Sequence, residues 1–233
     1  MRIHILLCIT LISTLSSKVW AIELKPFTAT YQISRGGKVT AQQTTRLTQI
    51  SDTLWQIEDN IIGTKGMASL MGFKRTEITQ FELTNEQIVA TQHKMRQKVA
   101  FSKRNYNFIY DKSKSEYSGT YKDKPFTIST NQTKPVISSQ LLPLAIAIEA
   151  CNNQSEADFN VIKSNSSKTY HFRFEKNKQP TANRVYPPNS KKKTQSWLDQ
   201  TKHCWPTKQL HSESDEPTIE TTLIEFKWSN PQQ

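Results

Sequence analysis

Any reaction centre in this 233-residue chain would have to be built from four histidines, two acid clusters and two cysteines beyond the N-terminal leader. His93, His171, His203 and His211 each stand alone among charged or hydroxyl neighbours. His171 with a serine and an aspartate would be the base of a triad, because triads assemble by geometry and not by chain order. No signature supports one: His-Glu-x-x-His, Gly-x-Ser-x-Gly, phosphate-loop and Cys-x-x-Cys patterns do not occur. Glu58 with Asp59, and Glu213 with Asp215 and Glu216, read as solvated acids among many lysines. The residues therefore predict no catalytic group, no metal and no cofactor. A hydrolase would need a fold that brings a histidine and an acid into one cleft.

Cys151 and Cys204 are an even pair, which in an exported chain reads as a disulfide. Two buried thiols or a metal site are the alternatives; a metal would require further Cys or His at ligand spacing, and only His203 lies beside either cysteine. Export itself is read from the N-terminus. Arg2 precedes an apolar stretch over 3–15, and Val19-Trp20-Ala21 offers permitted residues at the −3 and −1 positions of a cleavage site. The stretch falls short of the roughly 20 apolar residues of a membrane span. Cleavage after Ala21 leaves residues 22–233 as one β-rich periplasmic domain, with no transmembrane span.

The formal charge of +11 becomes about +9 when Arg2 and Lys18 leave with the leader. A basic surface favours a lipid or other anionic envelope component; nucleic acid is not expected for an exported protein. Only 35% of residues are hydrophobic, so the core should be thin, as in a single curved sheet. A monomer is expected.

The elements follow from periodicity. Phe27, Ala29, Tyr31 and Ile33 alternate with polar residues, Gly36-Gly37 supplies a hairpin turn, and hairpins recur every 8–14 residues to Thr130. On the third strand Trp55, Ile57, Asp59 and Ile61 share the core face; on the fourth, Ile78 is the core candidate. Met67–Met71 reads as a short helical turn with a soft apolar surface. The one stretch apolar on nearly every face is 138–150, a helix with Ser138 or Ser139 as its cap and Pro143 in its first turn. Tyr170, Phe172 and Phe174 form a later strand face, and the closing strand over 218–228 is expected to alternate without interruption. The predicted architecture is mainly β: an antiparallel meander, half-barrel in shape, with one central buried helix. Met67, Leu70, Met71, Leu141, Leu144 and Ile148 are the expected lining of a ligand cavity between helix and sheet.

Phe27-x-Ala29-x-Tyr31, Gly36-Gly37, Gly63-Thr64-Lys65-Gly66-Met67-Ala68 and the Phe73, Glu77, Phe81 spacing resemble the bacterial exported proteins grouped as domain of unknown function 3108. Trp197-Leu198, Trp205-Pro206, Thr221 and Leu223 are similar to that family's closing strands. Where the family carries Asp-Pro near the central helix, this chain has Gln140-Leu141-Leu142-Pro143. The resemblance implies a periplasmic sheet curved around a helical plug, similar to the LolA-like lipoprotein carriers, a fold associated with holding acyl chains. The expected function is non-enzymatic binding of a lipid or other apolar anionic ligand in the concave face. The alternative is a structural or assembly factor of the cell envelope that binds protein or polymer.

Overall fold

Strand β1 (Phe27–Arg35) buries Phe27, Ala29 and Tyr31 and turns Thr28, Thr30 and Gln32 to the other face. Gly36 and Gly37 take φ of 57° and 76°, the left-handed backbone that a two-residue hairpin loop requires, and β2 (Lys38–Gln49) returns beside β1. This computed structural model describes residues 24–84, 87–130 and 136–229. The leader and its cleavage site lie outside them.

The chain continues through β3 (Leu54–Gly63), the five-residue helix α1 (Gly66–Leu70), β4 (Lys74–Thr84), β5 (Gln87–Val99), β6 (Ser102–Asp111), β7 (Glu116–Tyr121) and β8 (Lys124–Ser129). A short β9 (Val136–Ser138) leads into α2 (Leu142–Cys151). Then come β10 (Glu156–Lys163), β11 (Ser166–Glu175), β12 (Thr181–Arg184), β13 (Lys193–Asp199), β14 (Trp205–Glu213) and β15 (Glu216–Trp228). All the strands described join one sheet in the order β8-β7-β6-β5-β4-β3-β2-β1-β15-β14-β13-β12-β11-β10-β9. Every pairing is antiparallel except β9 with β10. The chain is thus mainly β, with a curved meander sheet as predicted.

The sheet rolls over on itself. β9 is its last strand, yet it lies across the inner face of the first half. Tyr117 Oη on β7 donates to Val136 O at 3.0 Å, and Thr79 Oγ1 on β4 meets Ser138 Oγ at 3.0 Å. Strand direction defines two ends. Phe27, the start of α1's partner strand at Leu54, and Trp205 lie at the upper end. The Gly36-Gly37 turn, α1, the β5–β6 turn and the β7–β8 turn lie at the lower end.

Helix α2 is the plug. Leu144, Ala145, Ile146, Ala147 and Ile148 are consecutively buried, so no face is left for water. It starts at Leu142, later than predicted, because Ser138 belongs to β9. Ser138 Oγ instead accepts from Leu141 N at 3.3 Å, holding the turn between strand and helix. No side chain caps α2, and Pro143 sits in its first turn, where a missing N–H does no harm. At the upper end Cys151 is bonded to Cys204, tying the plug to the start of β14.

Two sequence expectations fail locally. On β4 Ile78 is only half-buried, while Glu77 and Thr79 occupy the inner face with Phe81. On β15 the pairing with β1 slips between Thr30 and Tyr31, which bulges Ile224 outward. Beyond the bulge the inward set changes parity, so Phe226 and Trp228 reach Phe27, with ring centroids 5.0 and 6.2 Å away. A single extra residue reverses every later side chain.

Candidate binding site on the inner face

The register of the first half of the sheet lays three inner rows across six or seven strands. The upper row runs Phe27, Leu47, Ile57, Thr79, His93, Phe108. The next runs Ala29, Thr45, Asp59, Glu77, Met95, Tyr106, Tyr121. The lower runs Tyr31, Gln43, Ile61, Arg75, Gln97, Arg104. Chemistry therefore changes down the concave face, from apolar to acidic to basic, because the two-residue repeat of each strand places like positions side by side.

Thr79 is the hub where this face meets the β9–α2 connection. Gln140 Nε2 donates to the Glu77 carbonyl at 2.8 Å, so its amide oxygen must face Thr79, whose hydroxyl donates to it at 2.7 Å. With its one proton committed, Thr79 Oγ1 can only accept from Ser138 Oγ and from His93 Nδ1, the latter at 2.7 Å. That assigns the tautomer of His93: Nδ1 carries the proton and Nε2 is bare. Nε2 lies 3.5 Å from Glu77 Oε1 without a hydrogen bond, and Arg75 pairs with the other Glu77 oxygen. Burial, and secondarily the Arg75 charge, push the His93 pKa down to about 3, so the ring is neutral. The chain of hydroxyls resembles a relay, but Ser138, Thr79 and His93 are all sealed from solvent. Its evident work is to hold the helix connection on the sheet.

Asp59 faces the same interior. It accepts from Thr45 Oγ1 and, at 3.1 Å, from Gln43 Nε2, both on the same oxygen. Burial raises its pKa to about 6 against those hydrogen bonds, and the Glu77 charge adds to the rise. The acid expected to be solvated is thus an inner-face group, as its place beside Trp55 and Ile57 required. With a folded pKa above the unfolded value, Asp59 contributes stability that is full below the unfolded value of 3.8 and is lost as pH rises through about 6. Asp59→Asn keeps an acceptor for both donors and removes the charge. It should stabilise the protein by roughly 1–2 kcal/mol at pH 8 and by almost nothing at pH 4, read by urea unfolding at both pH values. An equal effect at the two values would reject the assignment. His93 works in the opposite sense, since a depressed histidine loses stability as pH falls through 6.5 toward 3.

Beside and below these acids, polar atoms turn inward without partners among the described residues. Arg75 Nε, Arg104 Nε and Tyr106 Oη are buried and make no hydrogen bond within the described residues. Arg104 also bonds Tyr121 Oη and lies 5.0 Å from that ring, and Tyr106 meets Tyr121 edge-on and stacks on Phe126, each at 6.0 Å. On β12, Arg184 sits 3.5 Å over Tyr170 and 4.6 Å from Tyr186. Cationic, aromatic and hydroxyl groups on rigid strands are the donor set for an acidic head group.

The residues expected to line one cavity are divided. Leu141, Leu144 and Ile148 are buried with the plug. Leu144 and Ile148 touch a space of about 20 Å³ bounded also by Phe27, Trp205 and Trp228. Met67, Leu70 and Met71 are exposed at the lower end, because α1 lies against β2 and β3 with Ala68 as its one half-buried residue. A Cβ on Gly63 would stand 2.4 Å from the Ala68 carbonyl oxygen, which shows how closely that connection folds back. Two further spaces lined by described residues hold about 30 Å³, beside Asp59 and Gln140, and about 80 Å³, beside Cys204 and Phe174. Each is at the scale of one or a few waters, not of the ~300 Å³ typical of a small-molecule pocket.

The remaining histidines stay apart. His171 meets Asp158 at 2.7 Å and Glu156 at 3.6 Å on the outer surface, His211 bonds Thr194 at 2.9 Å, and His203 packs edge-on to Trp228. Among the described residues no three His, Cys, Asp or Glu side chains gather as metal ligands, and no helix is long and apolar enough to cross a membrane. The inward orphans Arg104 and Tyr106 and the His93 hub were missed by motif reading. The alternation of Arg104, Tyr106 and Phe108 on one face was the available signal.

No protein-family model matches the chain, and no curated protein matches it either. Among solved structures it is similar to a beta-barrel-like protein of Domain of Unknown Function DUF1849 from Brucella abortus, at 8% identity and a TM-score of 0.59. The match covers 90% of this chain and 100% of that one, so what the two share is a barrel-like fold of nearly the whole molecule.

Proposed function

We propose that this chain is a non-enzymatic protein of the bacterial periplasm, related to the domain of unknown function 3108 group, that binds the acidic head of an amphiphile at the lower mouth of its rolled sheet. The reading is carried by Arg75 Nε, Arg104 Nε and Tyr106 Oη, buried atoms on the inner face that make no hydrogen bond among the described residues. An orphaned buried donor is destabilising by about 1–3 kcal/mol, so three on β4 and β6, with only β5 between them, favour an acceptor-rich occupant. The apolar upper half is taken by α2, so an alkyl chain would leave through the lower end and not replace the helix. Dodecyl phosphate is the probe, with dodecyl maltoside as the neutral control, measured by titration calorimetry on the mature chain. The phosphate should bind at least tenfold tighter, and Arg104→Gln should lose about tenfold of that affinity. Equal binding of the two detergents would overturn the reading.

A second reading is an envelope assembly factor that uses the sheet edge at β8, the last strand on that side of the sheet among the described residues. Lys124 and Pro125 begin that strand and blunt it against indiscriminate pairing.

A further inference from the structure

The lower end carries an apolar tip that packs on nothing. Phe101 is fully exposed in the β5–β6 turn, and Leu70 and Met67 on α1 are 82% and 68% exposed. The two turns are joined: Ala100 N donates to Met71 O at 2.6 Å, so Met71, itself 40% exposed, bridges α1 to Phe101. Four large apolar side chains on two linked turns form one projecting knob, not scattered surface residues.

Its surroundings are of one charge. Residues 63–76 and 94–105 contain eight lysines and arginines and no acid. Lys65, Lys74, Lys98 and Lys103 are exposed around the tip, and none has an ion-pair partner among the described residues. Lys74 stands opposite Lys98, and Lys98 opposite Lys103, across adjacent strands. Like charges directly opposite are unfavourable in a sheet, so the arrangement does not serve folding. Covering this knob with a typical protein surface would leave the ring of lysines unneutralised. A plane of anionic lipid takes both parts at once: the apolar tip enters the acyl boundary and the lysines meet the head groups.

We infer that the α1 tip and the β5–β6 turn form a docking surface for an anionic lipid bilayer, with Phe101, Leu70, Met67 and Met71 as the inserted wedge and Lys65, Lys74, Lys98 and Lys103 as its electrostatic ring. Docked this way, the lower mouth of the sheet faces the membrane. The docking surface itself stands on α1 and the turn alone, independent of whether the mouth holds a ligand.

The test is co-sedimentation of the mature chain with vesicles of phosphatidylglycerol and phosphatidylcholine mixed, against vesicles of phosphatidylcholine alone. Partitioning should be at least thirtyfold stronger on the anionic vesicles and should weaken steeply with salt, each lysine contributing roughly fivefold. Phe101→Asp and Leu70→Asp should each lower it tenfold or more, with unchanged circular dichroism and thermal midpoint, because both side chains are already in water. Phe101→Trp should show a blue-shifted emission on anionic vesicles. Failure to sediment with anionic vesicles, aspartate variants that bind like wild type, or a dimer in solution that Leu70→Asp disperses would each overturn the inference. Arg104→Gln separates the two ideas: it should weaken dodecyl phosphate binding and leave vesicle docking intact.

Discussion

Replacing both cysteines, Cys151→Ala with Cys204→Ala, should lower the unfolding free energy by about 4 kcal/mol, read from urea denaturation of the oxidised wild type and the variant side by side. The bond closes a loop with a sequence separation of 53, which in the chain-entropy account removes that much freedom from the unfolded ensemble. Relief of native-state backbone strain offsets part of it. His203 and Cys204 both hold left-handed backbone, φ 52° and 56°, a conformation that side-chain-bearing residues enter only when surrounding contacts over-determine it. Without the bond the last turn of α2 loses its tether, and Ile148 and Ala150 lose the wall that faces β14. Alanine avoids burying a hydroxyl at the nearly inaccessible Cys204 position. Oxidised wild type should also weigh two hydrogens less than reduced protein. A loss under 1 kcal/mol would mean that α2 is held by packing alone.

Legibility followed the range of the interaction. Period-two alternation placed β1, β3 and β11 with the correct inward faces, since strand geometry acts over a few residues. The Gly36-Gly37 hairpin and Pro143 were readable for the same reason. What escaped depends on distant partners. The three residues of β9 are too few for any pattern, and they are strand only because β10 supplies a ladder. Ile224 bulges because β1 sets the register, and nothing within the closing strand announces it. Ser138 offers the side chain of a helix cap, yet its neighbours in space, Thr79 and Leu141, place it at a strand end. Charged residues were the hardest. Asp59 fell on the inward face by parity, but charge argued for solvent; the fold resolves the conflict by gathering it with Gln43 and Thr45, and it likewise sets Arg104 beside Tyr121. The apolar set Met67, Leu70 and Met71 erred the other way, with hydrophobic character standing in water at a turn.

The Thr79 hub makes the sharpest claim about why the plug stays seated. Thr79→Val is nearly isosteric, so it opens no cavity, yet it removes one donor and one double acceptor at a point where three buried groups converge. His93 Nδ1–H and the Ser138 hydroxyl lose an acceptor, and Gln140 Oε1 loses a donor. At about 1–3 kcal/mol for each buried group left unpaired, and with partial relaxation of the Ser138 rotor, the loss should be about 3–5 kcal/mol by urea unfolding. The effect must also be non-additive. Gln140→Leu alone strands Thr79 and the Glu77 carbonyl, but once Thr79 is valine the same change removes an orphan as well as a partner, so the double variant should lie at least 1 kcal/mol closer to wild type than the sum of the singles. Thr79→Ser, which keeps the hydroxyl, should recover most of the stability lost in Thr79→Val. Additive singles, or a valine variant within 1 kcal/mol of wild type, would show that α2 is seated by its apolar surface and that the hydroxyl chain only accompanies it. The expected outcome instead makes the polar hub the positional lock: burial of Leu144, Ile146 and Ile148 drives the helix inward from any direction, whereas the two bonds from Thr79 to Ser138 and Gln140, at fixed angles, accept one position of the β9–α2 turn.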